Sequence, residues 1–74
     1  MQMAVKLGAN IRLMRNKVGM TQEVLARDTG IDRAYLNGIE KGQHNISVRT
    51  LLKIAAALDC EAVQLLSGVY LEPE

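Results

Sequence analysis

The sequence predicts an all-α fold, one small domain of five short helices over residues 1–74, and three observations predict it. Leu7, Ile11, Met14 and Val18 are spaced four, three and four apart, which places them on one face of a helix. An apolar residue, a capping residue and a second apolar residue four positions after the cap then recur three times: Met20, Thr21, Leu25; Ile31, Asp32, Leu36; and Ile46, Ser47, Leu51. The apolar content is otherwise Leu, Ile, Val, Ala and Met, with Tyr35 and Tyr70 the only aromatics, as suits a compact helical core.

The first helix is expected from about residue 4 to 17, with Gly19 as its stop. Each of the three triplets sets a side-chain oxygen beside the free N–H groups of a first turn and pins the entering chain with a hydrophobic staple. They predict helices starting near residues 22, 33 and 48. The second is short, about 22–29, because Gly30 follows and a new cap begins at Asp32. The third runs to about 41, before Gly42, and Gln43 to Ile46 form a loop. The fourth, about 48–58, carries Leu51, Ile54, Ala55 and Leu58 on one face, and a fifth is expected over about 61–67. The tail, 69–74, carries no assignment.

Seventy-four residues suffice for one core and leave little material for a catalytic cleft. Cys60 is the only cysteine and His44 the only histidine, so neither an internal disulfide nor a His/Cys zinc site is expected, and no cofactor is implied. Cys60 reads as a packed apolar position, with redox sensing the alternative. Residues 1–7 show no apolar leader core, and no run approaches the ~18 apolar residues of a membrane span, so a cytoplasmic protein is expected. The net charge of +1 hides a bipolar chain. Residues 1–53 hold nine bases against four acids, a net of +5, and residues 54–74 hold four acids and no base, a net of −4. The basic part can meet phosphates while the acidic end stays away from them, although a merely solvated basic face has the same composition.

A short helix, a tight glycine turn and a second helix over Thr21 to Gly42 make a helix-turn-helix, the unit that lays one helix across a DNA backbone and inserts the next into the major groove. The stretch MTQEVLARDTGIDRAYLNGIEKG resembles the helix-turn-helix of the Cro and phage-repressor (XRE) family, and the likeness extends from about Leu7 to Leu66. It is carried by Ile11 with Arg15, Thr21-Gln22, Leu25-Ala26, Ile39-Glu40 with Gly42, and Leu51, Ile54, Ala55 and Leu58. Within it, IDRAYLNGIEKGQHN looks like the recognition segment of restriction-modification controller proteins. The resemblance implies a lambda-repressor-like domain that regulates transcription on double-stranded DNA. It also implies that Gln22 contacts a phosphate from the start of helix two and that Arg15 and Glu40 form a buried or half-buried structural pair.

Helix three turns Leu36 and Ile39 inward, with Ile31 just ahead of it, which leaves Arg33, Ala34, Tyr35, Asn37 and Gly38 near the opposite face as candidates for reading DNA. Arg33 suits guanine O6 and N7, Ala34 a thymine methyl, and Asn37 an adenine or a phosphate. Tyr35 packs either on the backbone or a thymine methyl, or between helices. Gly38 in a helix interior implies that a side chain there obstructs something, either DNA or a neighbouring element. Lys41, Gln43, His44 and Asn45 supply a loop able to donate to phosphates, with His44 equally readable as a solvated residue and Asn45 as a loop brace. Arg49 and Asn10 are weaker phosphate candidates.

A second apolar row on helix four, Val48, Leu52 and Ala56, together with Val63, Leu66, Val69 and Leu71, exceeds what one small monomer easily buries. A two-fold homodimer through helices four and five follows as the expectation, against a monomer whose tail covers the row. No membrane or small-molecule partner is indicated. The rival function is an antitoxin or other protein-interaction module on the same scaffold. An enzyme needs converging acid, base or nucleophile groups, and Asp28 and Asp32, the nearest acidic pair, do not supply them because Asp32 is already a cap.

Overall fold

The computed structural model describes residues 2–71 and residue 73, so Met1, Glu72 and Glu74 of the predicted domain and its tail lie outside the described residues. Among the described residues five helices follow one another: α1 Gln2–Lys17, α2 Gln22–Thr29, α3 Arg33–Glu40, α4 Val48–Ala57 and α5 Ala62–Leu65. None of these is long and apolar enough to cross a membrane.

All three capping triplets act as their chemistry requires. The Thr21 hydroxyl accepts from the Val24 N–H at 3.1 Å, Asp32 Oδ2 from Tyr35 N–H at 3.2 Å, and the Ser47 hydroxyl from Thr50 N–H at 3.0 Å. Leu25, Leu36 and Leu51 are buried, and Met20, Ile31 and Ile46 pack against the same core from the residues ahead of each cap. Gly30 makes the turn between α2 and α3 at φ 72°, a left-handed conformation that glycine adopts without a Cβ penalty. Ile31 N–H then returns to the Ala26 carbonyl at 3.1 Å. A fourth start was not evident from the caps: Gln64 Oε1 accepts from the Glu61 N–H at 2.9 Å and opens α5.

Ile11, Leu25, Leu36, Ile39, Ile54 and Leu65 fill the centre, each contributing about 1.5–3 kcal/mol by leaving water. α1 differs from its expected stripe at both ends. It begins at Gln2, and the buried positions are Ala4, Gly8, Ile11 and Arg15. Val18 is 48% exposed because the helix ends at Lys17, and the residues beyond turn off the face that a continued helix would have kept. The fifth helix closes at Leu65 rather than 67. Asn10 is a brace rather than a phosphate ligand, since its Nδ2 donates to the carbonyls of Leu65 and Ser67, both at 2.8 Å, and fastens the end of α5 to α1. Cys60 is half-buried against the core, and desolvation followed by the neighbouring Asp59 charge pushes its thiol above the usual 9.0, which favours the unreactive thiol form.

Two glycines let α1 lie directly on the end of α3. A Cβ at Gly8 meets the Ile39 carbonyl oxygen, and the Glu40 carbonyl oxygen lies 2.7 Å from the same point. At Gly42, φ is 78° and a Cβ meets Val5 Cα at 2.6 Å. Backbone therefore touches backbone at the junction, and α3 is anchored at its C-terminal end while its first turn is exposed.

Candidate nucleic-acid interface

The first turn of α3 is formed by the Asp32 cap, which leaves Arg33, Ala34 and Tyr35 exposed while Leu36 and Ile39 point into the core. Arg33 lines a groove between α1, the start of α2 and α3. With it the walls carry Arg12, Asn16, Gln22, Asn37 and Lys41. Three cations thus border one concave surface, and its floor is the Arg15–Glu40 pair.

That floor is closed by hydrogen bonds in every direction. Arg15 Nε donates to Glu40 Oε2 at 2.7 Å and Nη2 to Glu40 Oε1 at 3.0 Å, a bidentate pair with side chains only 11% and 2% exposed. The third guanidinium nitrogen, Nη1, donates to the Met20 carbonyl at 2.8 Å and fixes the turn between α1 and α2. Gln22 Nε2 donates to Glu40 Oε1 at 3.0 Å and to Asn37 Oδ1 at 3.2 Å. The structural pair expected from the family resemblance is present, and it joins the starts of α2 and the end of α3 to α1. The Glu40 charge is consumed inside the fold, so the field at the groove is set by Arg12, Arg33 and Lys41.

A second group lies on the other side of α3. Tyr35 and His44 face each other with ring centroids 4.6 Å apart and planes tilted by 38°. Beneath them Gly38 is buried rather than displayed on the outer face, because a Cβ there meets His44 Nε2 at 2.7 Å and Cδ2 at 2.8 Å. The obstruction implied by a glycine in a helix interior is therefore the loop itself, which folds its imidazole onto α3. Gln43, another loop residue, comes within 3.3 Å of the same point through Oε1.

The candidates thus divide. Gln22, Arg33, Asn37 and Lys41 share the cationic groove; Tyr35, Gly38, Gln43 and His44 form the ring-capped side. Asn45 borders a different, apolar recess near α1, and Ala34 and Arg49 are exposed outside the groove. Arg12 and Asn16 were not singled out from the sequence. Their signal was available: they lie four residues apart, on one helical row, and Arg12 is three residues before Arg15, so a helix that turns Arg15 toward Glu40 carries that row along the edge of the same groove.

A short helix, a glycine turn and a projecting second helix beside a cation-lined groove define a helix-turn-helix DNA-binding domain. The chain belongs to the helix-turn-helix (XRE-type) family of transcription regulators, whose family model matches residues 11–65. The restriction-modification controller protein C.AhdI from Aeromonas hydrophila is similar in structure, with a TM-score of 0.85 and 43% identity over 88% of this chain and 98% of that one. The controller protein C.Esp1396I, solved as a tetramer in complex with its natural 35 base-pair operator, matches with a TM-score of 0.82 and 30% identity over 93% and 91% of the two chains. A hypothetical transcription factor of Neisseria meningitidis serogroup B is 45% identical over 60 residues; that match covers 81% of this chain and 57% of the relative, just over half its length.

Proposed function

We propose that this chain is a sequence-specific operator-binding regulator of the controller-protein kind, acting as a two-fold dimer on a palindromic site in the cytoplasm. The observation that carries the reading is the exposed first turn of α3, with Arg33 on it, rising beside the groove lined by Arg12 and Lys41. Phosphates settle along the cations and the N-terminus of α2, and Arg33 and its neighbours reach base edges. The operator complex of C.Esp1396I supports the same use of a scaffold like this one.

Selection of bound sequences from a random duplex pool tests the proposal, with a palindromic consensus as the expected result. Arg33→Ala is expected to weaken binding to that consensus by about 1–3 kcal/mol and to flatten preference at one base pair of each half-site. An equal loss on consensus and random DNA overturns the reading role of Arg33. Affinity for either duplex falls steeply with added salt as condensed counterions are released.

Dimerisation is supported by apolar surface. Val48, Leu52 and Val63 are 71%, 52% and 67% exposed, and Leu66 is also exposed. Val48 and Leu66 border one apolar recess with Met3, Leu7 and Val69, which continues the patch toward α1. Ala56, the last member of the row on α4, is exposed but borders the α2 side with Asp28 and Thr29 instead. Covering the patch with a second copy sets the two recognition helices about 34 Å apart, one turn of duplex. Sedimentation at micromolar concentration is expected to show a dimer that Leu52→Lys dissociates; a monomer in the unsubstituted protein overturns the arrangement.

A further inference from the structure

The hydrogen bonds under the groove have a direction, and it starts at a group whose polarity is fixed. Both oxygens of Glu40 accept from the Arg15 guanidinium, a group that has only donors. The Gln22 atom 3.0 Å from Glu40 Oε1 must therefore be the amide nitrogen. That same nitrogen lies 3.2 Å from Asn37, so its second hydrogen points there, and the Asn37 atom that receives it must be Oδ1. Each amide is oriented by its predecessor, and no freedom to interchange oxygen and nitrogen is left.

We infer that Asn37 presents only its Nδ2 hydrogens to the duplex and so engages a hydrogen-bond acceptor there, with Gln22 as the positioning residue that enforces the orientation. The inference rests on the DNA-reading role proposed for α3. Asn37 is half-buried on the groove wall between Arg33 and Lys41, with Oδ1 turned toward Gln22. The two-bond asparagine–adenine pair needs amide oxygen and nitrogen side by side at the base edge, and Oδ1, with one lone pair held by Gln22, is turned away from that edge. The acceptors that remain are a purine N7, guanine O6, thymine O4 or a phosphate oxygen. Donor-bearing atoms, cytosine N4 and adenine N6, are refused. Gln22 correspondingly spends both amide hydrogens inside the fold. Any phosphate contact at this end of α2 then falls to its backbone N–H groups rather than to the Gln22 side chain.

Two variants of the full chain test this on the consensus selected by the unsubstituted protein. Asn37→Asp keeps an oxygen for Gln22 and replaces the outward donors with an acceptor. It is expected to bind the consensus at least about tenfold more weakly than Asn37→Ala does, because a carboxylate facing an acceptor repels where alanine merely leaves a gap. Asn37→Asp binding as tightly as the parent overturns the inference, because it shows that the outward atom was an acceptor. Gln22→Ala frees the Asn37 amide to rotate. If the partner is a base, the preference at that base pair broadens to admit cytosine or adenine edges. If the partner is a phosphate, a methylphosphonate at that one linkage costs the parent protein about tenfold and costs Asn37→Ala nothing. A parent protein whose binding neither 7-deazapurine nor O4- or O6-modified bases nor methylphosphonate alters in an Asn37-dependent way overturns the assignment. Failure to enrich any sequence from the random pool sinks the operator-reading proposal itself, and is distinguishable from an enriched consensus that Asn37→Asp binds unchanged. Circular dichroism melting of each variant separates lost folding from lost contact.

Discussion

Glu40→Ala is expected to lower the unfolding free energy by about 3–5 kcal/mol. The carboxylate is 2% exposed, and its removal leaves the Arg15 guanidinium charged, almost buried and without a counter-ion. Gln22 loses an acceptor at the same time. A domain of this size is stable by roughly 4–11 kcal/mol on the usual scale per residue, so such a loss takes a large share of the total. Urea denaturation followed by circular dichroism measures it as a fall in midpoint at unchanged slope. Much of the cost is the stranded charge rather than the pair's own worth, so Arg15→Met combined with Glu40→Leu is expected to recover most of the stability. If Glu40→Ala costs less than about 0.5 kcal/mol, a surface-like value, the pair is not held dry in solution.

Gly8→Ala is the second large effect, and its sign runs against helix propensity. Alanine in a helix interior ordinarily gains up to about 1 kcal/mol over glycine. At position 8 the new methyl meets the carbonyl oxygens of Ile39 and Glu40, which are backbone atoms at the close of α3 and have no side-chain torsion to relieve the clash. Moving α1 away opens the core around Ile11, while keeping it in place strains the carbonyls. A net loss of about 1–3 kcal/mol is expected from overpacking. In a domain this small, that lowers Tm by roughly 4–8 °C for each kcal/mol, which a thermal melt resolves. A variant that melts at or above the parent temperature disproves the backbone-to-backbone junction. Because the same carbonyls end the recognition helix, operator affinity is expected to fall as well.

The contrast between these two sites shows what the sequence could disclose. Thr21, Asp32 and Ser47 bond to N–H groups three residues away, so their caps follow from local spacing and were legible without any fold. Arg15 and Glu40 are 25 residues apart and nothing local joins them; only the resemblance to a known family suggested the pair. Gly8, Asn10 and Arg12 depend on which element lies against α1, and that is decided by packing among five helices. Val18 was misplaced for a simpler reason, that a spacing rule has no knowledge of where the helix stops. Gly38 fell between: its residue type announced a close neighbour, but only the course of the loop identified that neighbour as His44.

Along the eight residues of α3, the outward-facing residues Arg33, Ala34 and Tyr35 come first and the buried positions follow, with the half-buried Asn37 among them bonded to Gln22. Arg33 and Ala34 are exposed, and changes at such positions typically alter stability by no more than about 0.5 kcal/mol, while Tyr35, also exposed, keeps its packing on His44. On the DNA-reading role proposed for α3, exchanges at the exposed positions retarget the domain while the scaffold persists, whereas a change at position 37 must satisfy Gln22 before it can serve a new partner. Retargeting in this lineage is in that sense evolutionarily inexpensive at the tip of the helix and constrained one turn further in.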